Sequence, residues 1–389
     1  MNVLQSRLEM GIQNTSKHSV SVALATYNGA RYLREQLDSL ASQTYLPTEL
    51  VVTDDGSSDE TLDVLAQFAA TAPFAVHVHR NPVRLGYRAN FMHAVSLCSG
   101  SLISFCDQDD VWRPENLARV VAGFDDPDVL LVFHNALLVK ADRQPISPFY
   151  AAPPVTGCAP TLTLNPWMFA WGFMQTFRAE LKNAIPEWRQ AQCHLFPGEV
   201  LGHDMFFFLL AASLGKVRYL DEMLTEYRQH DNNTVGSKKR TPPTLIERWR
   251  YRFEDRSETY GHLAHVANIN ADLLGQLSQS DAMPQMLRSA AENASRAWLP
   301  IARLYGDRAR CCRGSAIGRL AAFLRLWRAG FYGESSFWTL GRSAMMKDFV
   351  LGVVAAPLIL RIGARSSLTD RTCRRGRNTL GRSLHMADR

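Results

Sequence analysis

The chain has 389 residues, 46% of them hydrophobic and 21% charged, with a net charge of +6. That composition supports a sizeable core and excludes a chain disordered throughout. Residues 1–295 carry a net −7 and residues 296–389 a net +13, which argues against a nucleic-acid-binding body and for a basic C-terminal patch that meets an anionic surface, membrane first. The seven cysteines, at 98, 106, 158, 193, 311, 312 and 373, include no C-x-x-C pair, so reduced thiols in a cytosolic protein are expected.

The segment Met1 to His18 lacks the apolar stretch of a signal peptide, and residues 1–17 are expected to be flexible. Val20 to Thr26 reads as a strand. Leu33, Leu37 and Leu40 then recur at helical spacing within Arg31 to Ser42. A second strand, Leu50 to Thr53, ends in Asp54-Asp55-Gly56-Ser57-Ser58-Asp59, a run of turn and N-cap residues. Val76 and Val78 mark a third strand, Ala89 to Leu97 a helix, and Leu102 to Phe105 a fourth strand stopping at Cys106-Asp107-Gln108-Asp109-Asp110. This alternation predicts an α/β fold with a mostly parallel sheet flanked by helices. Its acidic clusters fall at strand C-termini, where ligands gather in open α/β sheets.

Pro145 to Pro166 reads as a loop, Met205 to Leu214 as the apolar core of a helix, and Val217 to Leu220 and Leu224 to Tyr227 as strands. Gln229 to Thr241 reads as a polar loop, and Pro242-Pro243 marks a boundary. The predicted organisation is a catalytic domain over 18–241, a mainly helical region over 242–364 and a basic, disordered tail over 365–389. Phe349 to Leu360 is apolar but has only 12 residues, Gly352 and Pro357 among them, well short of the roughly 20 that a spanning helix needs.

Val20-Ser-Val-Ala-Leu-Ala-Thr-Tyr-Asn-Gly29 and Val51-Val-Thr-Asp-Asp-Gly-Ser-Ser-Asp59 resemble the opening of the inverting family 2 glycosyltransferases. Phe105-Cys-Asp-Gln-Asp-Asp-Val-Trp112 resembles the metal-binding D-x-D segment as written in the rhamnosyltransferase-like branch. Gly202-His-Asp204, Tyr219-Leu-Asp-Glu222 and Tyr227-Arg-Gln-His-Asp-Asn-Asn233 follow in that branch's order and spacing. Each motif is weak alone; their shared order over about residues 18–237 is the signal.

The resemblance implies a GT-A nucleotide-sugar-binding fold and a Mg²⁺ or Mn²⁺ ion held by Asp107, Asp109 and His230. It also implies donor contacts from Thr26, Tyr27, Asp54 or Asp55, and Asp107, with Asp204 as the catalytic base; Arg84 and Arg228 join the expected donor site as guanidinium groups suited to phosphate. Physical reasons support each role. Charge grows on the leaving diphosphate, which a cation or guanidinium neutralises, and inversion needs a base on the acceptor face. At a predicted helix start, Asp204 is expected to be ionised and exposed, although a structural N-cap would look the same. Relatives often have Glu-Asp where this chain has His203-Asp204. The aromatic stretch Trp167 to Phe177 suits either an acceptor platform or a core.

The expected function is transfer of a sugar, with rhamnose the first candidate, from a dTDP- or UDP-linked donor to a lipid-linked saccharide in surface polysaccharide (O-antigen type) synthesis. The enzyme would sit peripherally at the inner face of the cell membrane, and no nucleic-acid partner is expected. A sugar nucleotidyltransferase is disfavoured because Thr26-Tyr27-Asn28-Gly29-Ala30-Arg31 holds a single glycine. A catalytically inactive scaffold of a polysaccharide-assembly complex would have no need to retain Asp107, Asp109 and Asp204 together.

Overall fold

The structure, a computed structural model, describes residues 18–230, 256–333 and 340–355. Pro242-Pro243, most of the polar loop after Gln229, the segment 1–17 and the tail 365–389 lie outside the described residues.

Strand β1 (Val20–Thr26) is a nearly continuous buried run and takes a central place, parallel to β2 (Glu49–Asp54) on one side and β4 (Leu102–Cys106) on the other. A central parallel strand has both faces covered, which is why it reads as a run rather than an alternation. Val20, Val22 and Leu24 share a cluster with Leu33, Leu37 and Leu40 of helix α1 (Ala30–Ala41). Ala23 of β1 belongs to the second cluster, with Phe91 and Val95 of α3 (Tyr87–Leu97). Between these elements come α2 (Thr61–Ala69) and β3 (Ala75–Arg80). The order β3-β2-β1-β4 means that the chain winds outward from β1 and then returns to its other side. The carboxyl ends of β1 and β4 therefore flank a topological switch point, where α/β sheets bind ligands.

Beyond β4 the sheet is mixed. The later elements are β5 (Val111–Trp112), α4 (Asn116–Ala122), β6 (Val129–Lys140), β7 (Pro145–Pro148), β8 (Cys158–Ala159), β9 (Gln175–Arg178), α5 (His203–Leu214) and β10 (Lys216–Gln229). β9 runs antiparallel between β4 and β6, whereas β10 is parallel to β6. The parallel character expected of the sheet thus belongs to β3-β2-β1-β4 and to the β6/β10 pair. The two strands predicted over 217–227 are one 14-residue strand, with register shifts around Met223 that absorb the polar Asp221-Glu222. Short β7 and β8 lie within the predicted loop over 145–166.

The expected helical region is present in its described parts: α6 (Ser257–Gln279), α7 (Gln285–Cys312), α8 (Ala316–Arg328), α9 (Gly341–Lys347) and a π-helical turn over Asp348–Val354. α6 and α7 share the core of the α/β body. Trp167 Nε1 donates to the Tyr305 hydroxyl at 2.9 Å, and Trp298 Nε1 to Ser213 Oγ at 3.2 Å. Trp167, Phe173 and Phe177 are buried, so the core reading of that aromatic stretch holds for them. The six described cysteines are free thiols. No helix among the described residues is long and apolar enough to cross a membrane.

Candidate functional site

The turn after β1 and the turn after β2 are locked together. Thr26 pairs in register with Asp54, and its hydroxyl donates to Asp54 Oδ2 at 2.9 Å. Asp54 also accepts from the backbone N–H groups of Gly56 and Ser57, an Asx-type closure that glycine allows because Gly56 has φ +85°. Both Thr26 and Asp54 are fully buried. Their side-chain oxygens are thus engaged with each other and with the loop backbone, and they shape the loops.

Asp55 is the carboxylate that borders open space. It accepts from Asn81 Nδ2 at 3.0 Å and from the N–H groups of Leu85 (2.6 Å) and Gly86 (2.8 Å), which folds the 81–86 loop over the strand ends. The result is a cavity of about 450 Å³ lined by Tyr27, Asp55, Gly56, Arg80, Asn81 and Arg84, among others. The Arg84 guanidinium lies 4.0 Å from the centroid of the Tyr27 ring, a cation–π arrangement that holds both at the rim. Three of the predicted donor residues, Tyr27, Asp55 and Arg84, thus meet in one cavity.

Gln108, which sequence reasoning passed over, joins that cavity to the acidic turn. Tyr27 N–H donates to Gln108 Oε1 at 3.0 Å, and Gln108 Nε2 donates to the Tyr27 carbonyl at 3.2 Å. A Cβ at Gly29 would lie 2.2 Å from Gln108 Oε1, so glycine there gives the amide its room. Each neutral hydrogen bond contributes about 1 kcal/mol. Gln108→Ala is therefore expected to raise the donor KM about tenfold with little change in kcat, measured by steady-state kinetics with circular dichroism to confirm folding.

The turn itself brings Asp107, Asp109 and Asp110 together, with one ligand atom of each within 4.8 Å of the others. Burial, then the neighbouring Asp109 and Asp204, pushes the Asp107 carboxyl up to about 8. Asp110 is pushed well above the usual carboxylate range by burial, Asp109 and Asp107. Its Oδ1 accepts from the Arg228 N–H at 3.0 Å, while Oδ2 is buried with no hydrogen-bond partner among the described residues. Hard oxygens crowded in this way, one of them orphaned, fit a small divalent cation of the Mg²⁺ or Mn²⁺ kind.

β10 delivers the remaining groups, because β5 pairs antiparallel with it (Trp112 opposite Thr225) and so draws the end of β10 over the turn. His230 Nε2 lies 2.8 Å from Asp109 Oδ2, beside the carboxylates as its expected role requires. Arg228, expected to pair with diphosphate, is engaged within the protein in this structure. Its side chain is only 2% exposed and donates to the Asp109 and Ala141 carbonyls (2.8 and 2.6 Å) and to Glu35 Oε2 (3.0 Å). It fixes the acidic turn from behind.

Asp204 begins α5, and its charge is felt at Asp107. Its Oδ1 accepts from the Met205 N–H at 2.9 Å. Contrary to the expectation of an exposed group, it is half-buried, and burial raises its carboxyl to about 6 against opposing backbone hydrogen bonds and Arg88. Arg88, not foreseen from sequence, pairs with Glu199 at 2.7 Å. His203 is packed face-on against Phe91, with ring centroids 4.1 Å apart, and edge-on to Phe105 and Tyr87. Burial lowers it to about 3, so it is a neutral wedge beneath Asp204 rather than a replacement carboxylate.

Residues 21–183 match the family model described as Glycosyl transferase family 2. An uncharacterized glycosyltransferase of Nostoc sp. is 29% identical over 226 residues, which span 55% of this chain and 66% of that protein's length. The dTDP-rhamnosyl transferase RfbG of Shigella flexneri is 25% identical over 236 residues, 55% of this chain and 74% of that protein. Among solved structures, S. aureus TarS 1-349 in complex with UDP-GlcNAc aligns at a TM-score of 0.46 and 18% identity, covering 81% of this chain and 93% of that one. The match to glycosyl transferase family 2 thus covers residues 21–183, on an α/β architecture of the kind the GT-A resemblance implied.

Proposed function

We propose that the protein is an inverting, divalent-metal-dependent glycosyltransferase that moves a sugar from a nucleoside-diphosphate donor to a hydroxyl of a lipid-linked saccharide. The observation that carries this reading is the juxtaposition of three parts: a cavity bounded by Tyr27, Asp55 and Arg84, an acidic turn tied to it by Gln108, and Asp204 within electrostatic reach of that turn.

In this reading Tyr27 and Asp55 receive the nucleoside, and Arg84 reaches the diphosphate from the cavity rim. Asp107, Asp109 and Asp110, with His230 alongside, would hold the ion, which supplies Lewis-acid neutralisation of the charge on the leaving diphosphate. Asp204 accepts the proton of the acceptor hydroxyl as that oxygen bonds to the anomeric carbon and the opposite C1–O bond breaks. A carboxyl near 6 is ionised at neutral pH yet basic enough to take that proton. Rhamnose on dTDP is the first donor to test, on the strength of the Shigella relative's name. A lipid-linked acceptor, met at the inner face of the membrane, suits the basic C-terminal helices.

The test is turnover with a panel of dTDP-, UDP- and GDP-sugars, with and without Mn²⁺, following nucleoside diphosphate release and the anomeric configuration of the product. Acceptor-dependent release with inversion is expected. Nucleotide binding without turnover on any donor would favour the scaffold instead, and release of pyrophosphate from a nucleoside triphosphate would favour a nucleotidyltransferase.

A further inference from the structure

Helix α8 presents its apolar residues outward. Its buried positions are Arg319, Ala322 and Leu326, whereas Ile317, Leu320 and Trp327 are 84%, 43% and 58% exposed. At 3.6 residues per turn, positions 317, 320, 324 and 327 form one stripe, roughly opposite 319, 322 and 326. Phe323 lies off this stripe and packs on Phe349, with ring centroids 5.2 Å apart.

Directional bonds hold the arrangement. Arg319 donates from Nε to the Val353 carbonyl at 3.1 Å and from Nη1 to the Gly314 carbonyl at 2.6 Å. The first of these bonds joins α8 to the segment 341–354, where Met346, Phe349, Val350 and Val354 are also exposed. The segment is pinned below by the buried pair of Arg308 and Asp348 (2.9 Å), to which Tyr332 adds a hydrogen bond at 3.0 Å. Two adjoining helical segments thus turn apolar side chains to solvent while an arginine lies buried between them. Exposed apolar groups gathered in this way mark an interaction surface.

Charge selects the partner. Arg328 and Arg342 are exposed on these same two segments, and the sequence of residues 296–389, which includes both, is basic with a net +13. Like charge at Arg328 and Arg342 on both partners makes a second copy of this chain a poorer occupant than an anionic surface. We propose that α8 and the segment 341–354 form a docking surface for an anionic lipid bilayer, with both lying in the plane of the interface and their arginines among the headgroups. The proposal gives the membrane-facing part of the functional reading a defined surface, and it stands on observations independent of catalysis.

Co-sedimentation of the full-length protein with vesicles tests it, comparing equimolar phosphatidylcholine and phosphatidylglycerol with phosphatidylcholine alone. Binding about tenfold or more tighter to the anionic vesicles is expected, weakening as salt rises. The paired substitution Ile317→Ser and Trp327→Ser should lower it about tenfold with donor affinity unchanged, because both side chains already face solvent. Arg328→Glu provides a second variant with the same expected direction. Equal binding to both vesicle types, or undiminished binding by folded variants, would overturn the proposal. So would light scattering that shows a dimer lost on substitution while vesicle binding persists. A protein that docks on anionic vesicles but transfers no sugar would uphold the surface and count against the proposed function.

Discussion

Asp204→Asn is expected to lower turnover about 10²–10⁴-fold, the range for a positioned general base, while donor affinity stays within a few-fold of the parent. Asparagine keeps an oxygen where Oδ1 accepts the Met205 N–H, so the start of α5 should survive and the loss should fall on chemistry. The pH profile adds a readout that a structural role would not move. The reacting form is the carboxylate, so kcat/KM should rise with pH through about 6, where burial places this group, and then level off. The rising limb should vanish in the asparagine variant. A loss below about tenfold at saturating substrates would make Asp204 structural.

Asp109→Asn should abolish Mn²⁺-dependent binding of nucleoside diphosphate, read by calorimetric titration, while leaving the fold intact. Undiminished Mn²⁺-dependent affinity would remove Asp109 from the site. Stability supplies a second measurement. The Asp107 carboxyl lies at about 8 in the folded chain against an ordinary 3.8, so folding favours its protonated form. Its contribution is fully present below about pH 4 and is lost as pH rises through 8. Metal-free protein should therefore lose thermal stability over that window, and Mn²⁺ should raise Tm more at pH 8 than at pH 5, because the ion binds carboxylates and competes with protons. In Asp109→Asn the metal-free Tm should rise, as one like charge leaves the cluster, and the Mn²⁺ increment should disappear. Equal increments at both pH values would show that these carboxylates do not bind the ion.

Much of this was legible in the chain because its signals are local. Buried central strands must read as apolar runs, and the turns after them must carry Asp, Gly and Ser, so β1, β2 and β4 with their terminal clusters could be placed without coordinates. The acidic run at Asp107 and Asp109 was placed at a strand end in this way. Arg84, singled out in its loop, lines the cavity, and His230 lies beside Asp109. Local signals also misled. Thr26 and Asp54 look like ligand-facing residues in a motif but are consumed by each other across two strands. Arg228 looks like a phosphate ligand, yet the β5/β10 pairing buries it behind Asp109.

By itself, the sequence determined the α/β alternation, the acidic turn, the candidate base and the segregation of positive charge into the last quarter of the chain, all properties of neighbouring residues. Only the tertiary structure decided which of two adjacent carboxylates, Asp54 or Asp55, faces open space. It also decided that Gln108 ties the acidic turn to the cavity of Tyr27, Asp55 and Arg84, and that Arg319 rather than Leu320 is the buried side of α8. These outcomes depend on contacts between residues tens of positions apart, where hydrogen-bond satisfaction and burial are settled by partners that no local pattern names.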